Sequence, residues 1–190
     1  MKTIDCSLKG ASCDVFRHLI GAKFISYHSD METPERAYSV VILRIGKIDL
    51  ELRIDEIKSQ EAWIADTTTT TAKEVRLDEV QSPAGRRDED GNYLPNKFLS
   101  YPADGVVRHI SLINEITTLN DGDIPSCELI TTRGYIVETD KGFVAFDKTE
   151  SFGEVWTITS GTTETYIPDC VDVDEEAPEF KTRVEVIQVA

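Results

Sequence analysis

Residues 40–55 read VVILRIGKIDLELRID, and from Lys47 onward the stretch alternates without error. Ile48, Leu50, Leu52 and Ile54 are apolar, whereas Asp49, Glu51, Arg53 and Asp55 are charged. A period of two belongs to a strand with one buried face and one wet face. The preceding run, Val40–Ile45, is apolar and β-branched, and Gly46-Lys47 suits a two-residue type II′ turn. Folding the pair about that turn sets Ile45 against Ile48, Leu43 against Leu50 and Val41 against Leu52. The other face then sets Arg44 opposite Asp49 and Val40 opposite Arg53. Pattern, turn chemistry and cross-strand charge agree on one register, so the stretch is a β-hairpin. It specifies architecture and carries no chemistry of its own.

On the N-terminal side of the hairpin, residues 12–20 (SCDVFRHLI) fit a short helix. Ser12 or Asp14 would cap it, Gly21 would close it, and Val15, Phe16, Leu19 and Ile20 would form its buried stripe. Residues 23–28 (KFISYH) suit a strand, and residues 29–36, with Pro34, a loop. On the C-terminal side, residues 56–66 fit a strand or a short helix equally, anchored by Trp63 and Ile64. The five threonines at 67–71 read as an exposed edge or loop. An ordered hydroxyl array for ligand or ice binding would need such runs on many strands. Thr71-Ala72-Lys73-Glu74 matches a capping box, so 72–81 is helical, unless the alternation in KEVRLDEV makes it a strand.

Residues 82–105 break the pattern with three prolines (Pro83, Pro95, Pro102) and three glycines. A connection this long is functional or a linker. An EF-hand reading of DEDGN fails: counted from Asp88, glycine falls at position 4, and no glutamate stands at position 12. Asp90-Gly91 reads as a tight turn, with Tyr93, Leu94 and Phe98 tucking the loop onto the body.

The second half is rich in strand signals. Residues 106–119 form a long apolar strand, and 128–139 and 143–147 flank a three-residue hairpin loop, Asp140-Lys141-Gly142. Residues 154–159 and 163–167 follow, and 183–189 close the chain. Trp156, like Trp63, reads as a core anchor. A faint internal echo relates KFISYHS and the hairpin to RHISLIN and LITTRGYIVETD, as if each half were a long strand followed by a strand pair turning near a glycine.

The predicted fold class is therefore α+β and β-rich: antiparallel sheets built on hairpins, with a short N-terminal helix and one or two further short helices. The 190 residues fit a single domain over 1–190, or two β-rich halves, 1–81 and 106–190, joined by 82–105. An apolar share of 40 % with a charged share of 29 % is that of a soluble globular chain. No apolar run approaches the roughly 20 residues of a membrane helix. Lys2 is followed by no apolar stretch, so no secretory signal is expected and the cytoplasm is the expected compartment. Cys6, Cys13, Cys127 and Cys170 form no CxxC pair and are expected to be reduced, although a secreted chain could form two disulfides. A zinc site from Cys6, Cys13 and His18 or His28 would lack the tight ligand pairs of structural zinc sites.

The net charge is −15, and residues 96–190 carry 7 Lys/Arg against 18 Asp/Glu. Such a field repels nucleic acid and anionic lipid and steers cationic partners. Its densest part is 168–180, PDCVDVDEEAPEF, where Asp169, Asp172, Asp174, Glu175, Glu176 and Glu179 stand without a cation. The segment reads as a solvated surface loop, a docking surface for a basic partner or a weak divalent-cation site; Val171, Val173, Ala177 and Phe180 interleave with the charges, which favours an ordered interface over a solvating tail. The six carboxylates are the predicted partner-binding residues.

No catalytic signature is present: no GxSxG elbow, P-loop, GxGxxG or HExxH. His18 falls on the helix and His28 at a strand end. Arg108-His109, beside the long loop, is the best catalytic pair available. The expectation is a non-enzymatic cytosolic binding protein, without cofactor or metal, whose acidic surface engages a basic protein partner. Neither nucleic acid nor membrane is expected as a partner. Its most concrete form is an immunity-type inhibitor of a basic toxin or nuclease, whose carboxylates occupy the site that otherwise grips phosphates. The alternatives are an enzyme or small-molecule binder with its site near Arg108 and His109 under the 82–105 loop, and a structural or assembly subunit.

Overall fold

The computed structural model describes residues 1–31, 33–58, 67–122, 124–148, 154–162, 166–169 and 180–190. In chain order the elements are β1 (Lys2–Cys6), α1 (Ala11–Arg17), β2 (Phe24–Ser29), β3 (Arg36–Ala37), β4 (Val40–Ile45), β5 (Ile48–Glu56) and β6 (Thr68–Val75). There follow β7 (Gly85–Arg87), β8 (Tyr93–Pro95), β9 (Leu99–Pro102), β10 (Val107–Asp121), β11 (Ile124–Thr139), β12 (Gly142–Asp147), β13 (Trp156–Gly161) and β14 (Phe180–Gln188).

β4 and β5 pair in the register that the alternation dictates, from Ile45↔Ile48 through Leu43↔Leu50 and Arg44↔Asp49 to Val40↔Arg53. Gly46 turns the chain with φ 61, the positive value that primed hairpin turns require and that a side chain resists. The hairpin is the middle of a five-stranded antiparallel sheet, β6-β5-β4-β2-β9. The larger sheet runs β14-β10-β11-β12-β13-β3, with β1 lying parallel to β11. β7 and β8 form a separate small hairpin.

The two sheets face each other across one apolar cluster. Val41, Leu43, Ile45, Leu50 and Leu52 come from the smaller sheet, and Ile110, Leu112, Tyr135, Val137, Phe146 and Trp156 from the larger. Phe16 and Leu19 belong to the same cluster, and each such side chain, fully buried, contributes about 1.5–3 kcal/mol by removal from water.

The fold is mostly β. Among the described residues α1 is the one α-helix, and the expected additional short helices reduce to a 3₁₀ turn at Leu77–Glu79. Of the segment 72–81, residues 72–75 complete β6, pairing with β5 with Lys73 opposite Glu51 and Val75 opposite Asp49, and the 3₁₀ turn follows. α1 starts at Ala11 with Gly10 as N-cap and no side-chain cap, so Ser12 and Asp14 fall inside its first turn. It ends at Arg17, which leaves Ile20 beyond the helical stripe and 40 % exposed.

The threonine run is not an exposed loop. Thr67, Thr68 and Thr70 are buried. The Thr70 hydroxyl donates to the Tyr135 hydroxyl at 2.9 Å, the Thr69 hydroxyl donates to the Cys6 carbonyl at 3.0 Å, and Thr69 Oγ1 accepts from Thr132 N–H at 3.2 Å. The run is a polar seam where β6 meets the larger sheet. β11 passes straight through Gly134 without turning, so the echo of the first hairpin does not extend to a second turn there. Thr139 pairs with Gly142, which shortens the expected three-residue loop to Asp140-Lys141. Residues 59–66, with Trp63 and Ile64, and residues 163–165 lie outside the described residues.

Candidate functional site

Of the six predicted partner-binding carboxylates, Asp169 is described and exposed, while Asp172, Asp174, Glu175, Glu176 and Glu179 lie outside the described residues. What the structure defines is the pair of attachment points on either side. The Tyr166 ring lies 6.0 Å from that of Phe143, and its hydroxyl donates to Asp147 Oδ2 at 2.9 Å. At the other end Phe180 opens β14 opposite Leu119 of β10. Tyr166 is held on β12 and Phe180 begins β14, so both attachments are made on the larger sheet.

Beneath Tyr166 lies a cluster of charges that sequence reasoning missed. Arg133 makes a two-pronged contact with Asp147, Nε to Oδ1 at 2.7 Å and Nη2 to Oδ2 at 2.8 Å, and Nη1 reaches Glu115 Oε2 at 3.5 Å. Lys148 donates to the Thr68 carbonyl at 2.8 Å and to its hydroxyl at 2.6 Å. Arg133, Asp147 and Lys148 are each 1 % exposed. The cause is a bulge. Ile113 pairs with Gly134 and Asn114 with Thr132, so Arg133 is the extra residue of β11. An extra residue re-aims a side chain across the sheet, and this one carries Arg133 to the face of Glu115 and Asp147. The available signal was Gly134, since glycine inside a strand marks a bulge or a close approach. A Cβ there would run into the Phe146 carbonyl oxygen.

The cluster holds two cations and two carboxylates, so it projects little net field. Burial opposes the Arg133 charge, but Asp147 and then Glu115 outweigh it and hold the guanidinium protonated. Burial pulls the Lys148 ammonium down to about 8. Burial and the facing Asp147 carboxylate both push the Tyr166 phenol up. Charges matched this closely stabilise one arrangement of β10, β11 and β12 under the Tyr166 anchor.

The outer face of the smaller sheet is also charged. His28, Ile42 and Glu51 occupy outward positions, yet they are 7 %, 0 % and 2 % exposed. The chain after β6 folds back over them. Leu77 N–H donates to Asp49 at 3.4 Å, the Ser82 hydroxyl donates to Asp30, and the Asn96 amide reaches the Asp30 carbonyl at 3.4 Å. Two open clefts, about 390 and 560 Å³, lie along this seam and share Glu74, Val75 and Arg76 in their walls. Their charges are largely matched: Arg44 to Asp49 at 2.8 Å, Arg53 and Lys73 to Glu51 at 2.9 and 3.2 Å, and Arg76 to Asp78 and Glu79 at 3.0 and 3.2 Å.

The 82–105 loop therefore lies on the smaller sheet, with Tyr101 also donating to the Met31 carbonyl at 2.8 Å. Tyr93 and Leu94 do not tuck inward; they are 46 % and 42 % exposed, and polar tethers secure the loop instead. Arg108 is exposed, 3.9 Å from Asp140, and the exposed His109 ring nitrogen lies 2.9 Å from the Gln188 amide. His28 is buried, with Nε2 3.3 Å from the Ser26 hydroxyl. Burial, and then the Arg44 charge, depress its imidazole pKa.

Cys6, Cys13 and Cys127 are free thiols, and burial pushes the first two up. Among the described residues no three His, Cys, Asp or Glu side chains converge on a common point, and no helix is long and apolar enough to cross a membrane. No family model matches the chain, and neither a curated protein nor a solved structure matches it.

Proposed function

We propose that this chain is a binding protein that uses the acidic segment 168–180 to engage a basic protein partner. One observation carries the reading: the densest run of unmatched charge in the chain is 168–180, with six carboxylates and no cation before Lys181. The two clefts and the cluster around Arg133 are nearly charge-matched. The field of a negative run of that kind, 169–179, attracts a cationic partner. The interleaved Val171, Val173 and Ala177 add contact area to that field. The most specific form is an immunity-type inhibitor, in which these carboxylates stand in for nucleic acid phosphates at a basic nuclease or toxin.

The test is capture of partners on the immobilised chain at low and at high salt, with identification of what is held. Basic proteins that are released by salt, and that are lost when Asp172, Asp174, Glu175 and Glu176 are changed to Asn or Gln, are the expected result. Partners retained both in high salt and by that variant would overturn the proposal.

A further inference from the structure

We propose that residues 76–98 form an acid-released strap, held over the outer face of the smaller sheet while His28 is neutral and detached once His28 takes up a proton. The path of the strap follows from its contacts. It leaves β6 after Val75, Leu77 N–H donates to Asp49 of β5 at 3.4 Å, and Val80 and Gln81 share a cleft wall with Glu51. The Ser82 hydroxyl then donates to Asp30, just past the end of β2. The Asn96 amide returns to the Asp30 carbonyl at 3.4 Å before β9 begins. The strap therefore crosses from β5 to β2.

A cross-strand row lies between those two points. Glu51 pairs with Ile42, and Ile42 with His28. These outward positions, and Val40 beside them, are buried, although none of them belongs to the cluster between the sheets. The strap that passes over the row is lightly attached. Among the described residues of 76–98, Ser82 is the one that is buried, and the attachments to the sheet are polar. Few buried apolar groups and a few polar tethers mark a segment that opens locally while the rest of the fold stays closed.

His28 ties this opening to pH. Its Nε2 lies 3.3 Å from the Ser26 hydroxyl, and β9 sets Ser100 opposite it. The charged groups about this face are Asp30 after β2, Arg44 on β4, Asp49 and Glu51 on β5, and Lys73 on β6. The strap adds Arg76, Asp78 and Glu79, which pair with one another. Arg44 grips Asp49 with two bonds, at 2.8 and 2.9 Å, and Arg53 and Lys73 hold Glu51. A proton on the covered His28 therefore sets a second cation near Arg44 in a buried site, where the nearby carboxylates already have partners. The Arg44 bond keeps Asp49 below its ordinary value; burial pushes Glu51 up, but Arg53 and Lys73 outweigh it. Both carboxylates thus stay ionised while His28 titrates. Opening the strap admits water to the ring and returns it toward the ordinary value of 6.5. The open form binds the proton more tightly, so opening is favoured as pH falls below that value, by up to about tenfold per pH unit. None of this depends on the acidic segment 168–180.

Hydrogen–deuterium exchange of the full chain at about pH 7.5 and about pH 5.5, each rate normalised to the intrinsic rate at that pH, tests the proposal. The amides of Leu77 and Ala84, bonded to Asp49 and to the Ser82 hydroxyl, should exchange about three- to tenfold faster at the lower pH. Those of Leu43 and Leu50, within the β4–β5 hairpin, should keep their protection. His28→Gln, which leaves a neutral group beside Ser26, should make the two conditions alike. Linkage gives a second readout that needs no His28 variant. Followed by NMR, the His28 ring should titrate below 6.5 in the wild type, and Ser82→Ala, which frees the strap, should raise its midpoint. A strap that exchanges equally in both conditions, a His28→Gln chain that keeps the acid response, or a midpoint that Ser82→Ala leaves unmoved would rule the strap out. Protection lost at Leu43 and Leu50 together with Leu77 would do the same, because it marks unfolding of the sheet.

Discussion

Arg133 and Lys148 bring two cations into the interior, and each has a consequence that can be measured. For Lys148 it is a pH dependence. Burial holds its ammonium at about 8, against 10.5 for a free lysine. Below the folded value the amine is charged in both states, and the fold bears the full cost of burying it. As pH rises through the interval the folded chain releases the proton first, the unfolded chain binds more protons, and stability increases. Tyr27, pushed up to about 12 by burial, acts in the opposite sense above the ordinary tyrosine value of 10, and the Cys6 and Cys13 thiols, also pushed up by burial, do so from about the ordinary thiol value of 9.0. Urea unfolding from about pH 7.5 to about pH 9.5 should therefore show the wild type gaining on the order of 1–2 kcal/mol relative to Lys148→Met, in which the two thiols titrate but the buried amine is gone. A wild type that gains nothing on Lys148→Met across that range would refute the buried-ammonium account. For Arg133 the consequence is asymmetry. Asp147→Ala leaves the guanidinium with Glu115 alone and should cost about 3–5 kcal/mol. The double change R133M/D147L leaves Lys148 to balance Glu115 and should cost clearly less, so a double-mutant cycle should report strong coupling. The Arg44–Asp49 pair was legible in the sequence, because the hairpin register places the two opposite each other. The Arg133 cluster was not, because its partners lie 14 to 18 positions away and meet only through a bulge.

At the scale of elements, what could be read was local. The period of two, the glycine turn and the charge pairs of the β4–β5 hairpin all fall within one short stretch, so each constrained the others. The long β10 and β11 were legible for the same reason, as sustained β-branched runs. The threonine run was misread because its environment is supplied from far along the chain, by Tyr135, Thr132 and Cys6. Propensity alone cannot tell an exposed edge from a seam between sheets. The fate of the 82–105 loop was likewise decided by Asp30 and Met31, to which nothing in its own residues points. Gly134 joins the local signal to the non-local one. A methyl group there meets the Phe146 carbonyl and the Asp147 Cα, so β11 and β12 would have to part by a few tenths of an ångström or more. Gly134→Ala should lower stability by about 1–3 kcal/mol, seen as a shifted denaturant midpoint with an unchanged slope. Tyr166 fluorescence is no reporter in the presence of Trp156, so amide exchange of Phe146 and Asp147 is the local readout. If those amides keep wild-type protection, the close approach at Gly134 is not what holds the two strands in register.

At the scale of the whole molecule the governing quantity is charge, and it sets self-repulsion as well as recognition. Five carboxylates of the net −15 lie at Asp172, Asp174, Glu175, Glu176 and Glu179, in a stretch that contains no cation. Excess charge of one sign destabilises a compact state, and added salt relieves it within a Debye length of roughly 10 Å at 0.1 M. The melting temperature should therefore rise with sodium chloride. Changing the five carboxylates to Asn and Gln should raise the low-salt melting temperature by a few degrees and flatten the salt dependence, in keeping with the usual scale of about 2–8 °C per kcal/mol. The sign of that change separates two physical roles for the segment. Carboxylates that serve the fold, by docking on this chain's own cations, lose an attraction when neutralised, and the protein melts lower. Carboxylates kept for a partner lose only repulsion, and the protein melts higher while its affinity for a basic protein falls. Stability gained together with binding lost is the signature of a surface that sacrifices stability for recognition. A melting temperature that drops on neutralisation, measured by scanning calorimetry at low salt, would remove the charge argument on which the proposed function rests.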